Sequence, residues 1–129
     1  MSAAPTSNVN CPVLAAGYIL PGGAGGSSNA DTTVGLNNAI SGGDGSVQIY
    51  LDPAYGALAK SDIIIEITPD GGGFVDGTSF MQPEISNFVA SAGNGSNFIV
   101  KFVNTKTASV VLNSGCGFWF KVSKLVKKV

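Results

Sequence analysis

From residue 32 onward, apolar and polar positions alternate along the chain with a period of two. In Ser46–Asp52, Val47, Ile49 and Leu51 fall on one face and Gln48 and Tyr50 on the other. In Asn97–Val103, Phe98, Val100 and Phe102 share a face. In Gly117–Ser123, Phe118, Phe120 and Val122 oppose Trp119, Lys121 and Ser123. This is the signature of half-buried β-strands, because successive side chains on a strand point to opposite faces. Asp62–Thr68 is a β-branched run bounded by Pro69 and Gly71–Gly73. It predicts a central strand, apolar on both faces. Thr32–Leu36, Glu84–Ala90 and Thr107–Leu112 are further short candidates; in Glu84–Ala90, Ile85 alternates with Asn87 and Val89. Phe74–Pro83 reads as irregular, and Leu58 with its neighbours as one short helical turn. Asn94–Gly95 is the strongest short hairpin signal in the chain. Turn clusters, such as Ser41–Ser46, separate about seven or eight such strands, and no segment carries a helical period. The expected fold is all-β, an antiparallel β-sandwich or jelly roll.

The first part of the chain breaks this pattern. Residues 1–12 are small and polar with two prolines, and 21–31 are Gly/Ser-rich. Between them lies a short apolar run, residues 13–20. This composition predicts an extended N-terminal arm over 1–45 and a sandwich domain over 46–129. By themselves residues 1–31 carry too little apolar surface to offset their ordering entropy, so they are expected to become ordered on a partner.

Composition narrows the chemistry. The chain has 129 residues, 7 Lys plus Arg, 8 Asp plus Glu, no His and a formal net charge of −1. All seven basic residues are lysines. Without His there is no Ser-His or Cys-His nucleophile pair and no His-liganded metal site. Without Arg and without a basic excess there is no electrostatic footprint for nucleic acid. No apolar run is long enough for a membrane helix. Lys60 is the first lysine, so the N-terminus lacks the basic region of a secretory signal, and synthesis in a host cytoplasm is expected.

The remaining candidates are weak as catalysts. Asp52 and Asp62 flank one loop and Asp70 and Asp76 another. Beside Gly or Pro, Asp is a turn residue whose side chain bonds the local backbone. The runs Gly22–Gly26 and Gly71–Gly73 lack the Lys and Ser/Thr of a phosphate loop. Cys11 and Cys116 would close most of the chain if paired, and would be two reduced thiols in a cytosolic protein. No enzyme, no cofactor and no metal are expected. Trp119 is left over once Phe118 and Phe120 are assigned to the core, so it faces outward, toward another subunit or a glycan. Lys121, Lys124, Lys127 and Lys128 make a basic C-terminal end.

From Gly45 onward the order of features resembles the small β-sandwich domains of bacteriophage virion proteins. The counterparts are Ser46–Asp52, Pro53–Tyr55, Ile63–Ile67 with Thr68–Pro69, Gly71–Gly73, Phe98–Phe102 and Phe118–Val122. The resemblance implies a trimer on a virion: a head decoration (cement) protein, a head fibre or a tail-fibre tip. A short chain with an extended arm is closest to a cement protein, bound to the major capsid protein and to copies of itself. Val9, Val13, Leu14, Tyr18, Ile19 and Trp119 are the expected interface residues. The alternative is a receptor- or glycan-binding module of a fibre or spike. Neither nucleic acid nor membrane is an expected partner.

Overall fold

The computed structural model describes residues 9–20, 33–42, 46–69, 81–104 and 117–127. Their strands are β1 (Val9–Asn10), β2 (Val13–Ile19), β3 (Thr33–Val34), β4 (Leu36–Ser41), β5 (Ser46–Leu51), β6 (Ile63–Pro69), β7 (Met81–Val89), β8 (Asn97–Asn104), β9 (Phe118–Lys124) and β10 (Val126–Lys127). Two antiparallel four-stranded sheets, ordered β3-β2-β9-β6 and β4-β5-β8-β7, face each other as a β-sandwich. The pair β1-β10 forms a small third ladder.

The alternation read from the sequence produces this core directly. Val47, Ile49 and Leu51 from β5, Phe98, Val100 and Phe102 from β8, and Phe118, Phe120 and Val122 from β9 are all buried between the sheets. Phe102 and Phe118 meet across the gap, ring centroids 5.4 Å apart. Ser123 departs from the pattern: it is buried, flanked by Val13 and Ile64.

The boundary expected at residue 46 is not where the sandwich begins. β2 lies between β3 and β9, and it places Ala15 and Ile19 in the core with no exposed surface. β4 forms a hairpin with β5. Val13–Ile19, Thr33–Val34 and Leu36–Ser41 are therefore structural strands rather than arm. The short apolar run finds its partner about a hundred residues away, where Val13 faces Ser123 and Ile19 faces Phe118. Gly35 lets the chain step from one sheet to the other between β3 and β4. Its φ is +71°, and a Cβ there would lie 2.0 Å from the Leu14 carbonyl oxygen.

Three further expectations are corrected. β6 is an edge strand of its sheet among the described residues, not a central one, with Ile64, Glu66 and Thr68 exposed. Its β-branched residues specify a strand but not a place in the sheet, and only β9 pairs with it. In β7 the alternation is broken by a bulge. Asn87 has φ 53° and the register shifts between Ser86 and Val89, so Phe88 rather than Val89 turns toward the core. β7 also begins at Met81, inside the stretch expected to be irregular. The hairpin β7-β8 is present, but Val89 pairs with Asn97, so its link spans 90–96 and is longer than a two-residue turn. Two 3-10 turns, Pro53–Tyr55 and Lys60–Asp62, flank Leu58. The candidate strand Thr107–Leu112 and both glycine runs lie outside the described residues.

Candidate functional site

Asp52, Glu66 and Lys121 are placed as turn and surface groups. The Asp52 carboxylate accepts a hydrogen bond of 2.9 Å from the Ala54 backbone N–H and caps a 3-10 turn. Glu66 pairs with Lys121 across β6 and β9 at 3.2 Å, both side chains exposed. No group of three or more His, Cys, Asp or Glu side chains suited to a metal occurs among the described residues. The Cys11 thiol is exposed and free, while Cys116, Asp70 and Asp76 lie outside the described residues.

The expected interface residues separate into four groups. Ile19 is in the core and out of reach of any partner, because its parity on β2 matches Ala15. Val9 sits opposite Lys127 in the small ladder. Leu14 is half-buried, and its carbonyl accepts the Tyr55 hydroxyl at 2.6 Å. Val13, Tyr18 and Trp119 share the outer face of the first sheet.

That face is built by register. One row runs Tyr18, Trp119, Thr68, and the next runs Val34, Ala16, Lys121, Glu66. Trp119 is 51% exposed. Tyr18 packs on it with ring centroids 5.3 Å apart and planes tilted by 56°. Glu66, Thr68, Trp119, Phe120 and Lys121 line a shallow depression of about 220 Å³. Val13, Val34 and Ile64 add exposed aliphatic surface to the same face.

A second surface was not read from the sequence. Among the described residues it is the open long side of the sandwich, between edge strands β6 and β7. Lys60, Ile63, Ile65, Ile85, Ser86, Asn87 and Phe88 line a groove there of about 270 Å³. Ile85 pairs with Val100, a core residue, and so faces inward, yet it remains 42% exposed. Nothing in this chain's described residues covers it. The available sequence signal was Pro83 within β7 and Pro69 at the end of β6, since proline in a strand belongs to an edge.

Comparison of the chain with protein-family models, with curated proteins and with solved structures finds no match in any of the three.

Proposed function

We propose that this chain is a non-enzymatic structural protein of a bacteriophage virion, a decoration protein that binds the major capsid protein as a homotrimer. The observation that carries the reading is the open side of the sandwich, where inward-facing Ile85 is left 42% exposed beside Ile63, Ile65 and Phe88. Core-facing aliphatic surface left in water costs roughly 25 cal/mol per Å². Association that covers this side recovers that free energy. The edges themselves are poor templates for strand addition: Pro83 removes a backbone donor from β7, and the bulge at Asn87 twists its end. Subunits therefore meet through side chains in the groove. The virion assignment rests on the order of sequence features set out above. In this reading the uncharged residues 2–12 contact the shell by shape and backbone pairing, since no charge precedes Asp31.

The test has two arms. Sedimentation at micromolar concentration is expected to show a trimer, and Ile85→Lys a folded monomer. A clean monomer of the unaltered chain would overturn the trimer. Mass spectrometry and cryo-microscopy of purified particles are expected to find the chain on the capsid surface; its absence from particles would overturn the virion reading. A second reading, a glycan-binding module, is favoured by the depression beside Trp119.

A further inference from the structure

We infer that the depression at Trp119 is a binding subsite for a neutral oligosaccharide, of the class whose pyranose hydroxyls are equatorial. The site lies on the outer face of the first sheet, away from the groove between β6 and β7, and does not depend on the trimer. Such a pyranose has a flat, apolar C–H face and a rim of hydroxyls. It needs a rigid aromatic surface to lie on and hydrogen-bonding groups around the edge.

The depression offers both. The Trp119 indole packs against Tyr18 at 5.3 Å, tilted by 56°, a contact that restricts its orientation before any ligand arrives. A pre-set aromatic surface loses little side-chain entropy on binding. Glu66, Thr68 and Lys121 stand around the same depression. They supply a carboxylate acceptor, a hydroxyl that both donates and accepts, and an ammonium donor. All come from β6 and β9, two strands paired along their whole length from Ile63–Lys124 to Pro69–Phe118, so the backbone register holds the three rim positions beside the floor. The depression, about 220 Å³, is the size of a single-ring subsite rather than a deep pocket.

Charge selects the neutral class. Lys121 is already paired with Glu66 at 3.2 Å, so the site carries no net charge. A nucleobase would also stack on Trp119, but single-stranded nucleic acid needs a basic track along its backbone. Here the one lysine in the depression is neutralised, and the chain has no arginine. An anionic sugar meets the same objection.

Trp119 is the only tryptophan in the chain, so its emission reports this site alone. Cellotetraose and N-acetylchitotetraose are titrated into the full-length protein and followed by fluorescence and calorimetry. At least one is expected to shift the emission saturably, with a Kd on the order of 1 mM, the range of a small ligand with one ring buried. By calorimetry, Trp119→Ala is expected to weaken that affinity at least tenfold and Trp119→Phe to retain part of it. Thr68→Val and Glu66→Gln are expected to weaken it about threefold, with the thermal midpoint nearly unchanged. No saturable response from either sugar up to about 20 mM, well above the expected Kd, would overturn the proposal. So would unchanged affinity in Trp119→Ala. If Trp119→Ala instead converts an oligomer into a monomer, the face is a subunit contact and the sugar site is refuted.

Discussion

Gly95 and Gly56 both have positive φ, +97° and +68°, but their surroundings differ. A Cβ at Gly56 would meet nothing within 4 Å. A Cβ at Gly95 would lie 1.8 Å from the Leu51 carbonyl oxygen and 2.9 Å from its carbon. Replacing each with alanine separates two costs that usually come together. Gly56→Ala imposes only the strained backbone region, about 1–3 kcal/mol. Gly95→Ala imposes a similar strain and also drives the 90–96 link away from β5. The two backbones are joined there by the Leu51 N–H to Ser96 carbonyl bond of 2.9 Å, and the Leu51 side chain is fully buried. Losing that bond costs about 0.5–1.5 kcal/mol, and the forced shift in a packed core about 1–3 kcal/mol more. The expected gap between the two variants is therefore about 1.5–4.5 kcal/mol. For a chain of this length that corresponds to roughly 5–18 °C in thermal midpoint. The assay is circular dichroism on heating and in urea, at one fixed protein concentration, because an oligomer's midpoint depends on concentration. Equal destabilisation of the two variants would refute the reasoning, since it would mean that the link does not close onto Leu51.

Ser96→Ala is expected to destabilise by about 1–3 kcal/mol in urea unfolding, because the buried Ser96 hydroxyl accepts from the Leu58 and Ser91 backbone N–H groups at 2.9 and 3.2 Å. Deleting residues 2–12 is expected to preserve a cooperative thermal transition, whereas deleting 2–19 abolishes it, because Ala15 and Ile19 are core residues. A double-mutant cycle of Glu66→Gln with Lys121→Met is expected to give a coupling below about 1 kcal/mol that shrinks in salt, since both groups are exposed.

The alternation in Ser46–Leu51, Phe98–Phe102 and Phe118–Val122 was enough to specify three core strands and their buried faces, because a period of two admits one way of burying those side chains. The same parity sent Trp119 outward. The turn role of Asp52 was also legible, since an Asp before Pro53 caps locally and needs no distant partner. Whatever depended on pairing between distant segments was not legible. Val13–Ile19 looks like a short run inside a Gly/Ser-rich arm, and only its ladders with β3 and β9 make it a core strand. Ile63–Ile67 has the composition of a central strand, yet among the described residues it has one neighbour only, which leaves an edge and an open groove there. The bulge at Asn87 exchanged Val89 for Phe88 on the inner face. The depression is likewise a product of folding: Glu66 and Thr68 reach Trp119 only because β6 and β9, some fifty residues apart, run side by side in register. Local chemistry chooses strand and face, but which strands become neighbours is decided by burying all the apolar faces at once, and that is a property of the whole chain.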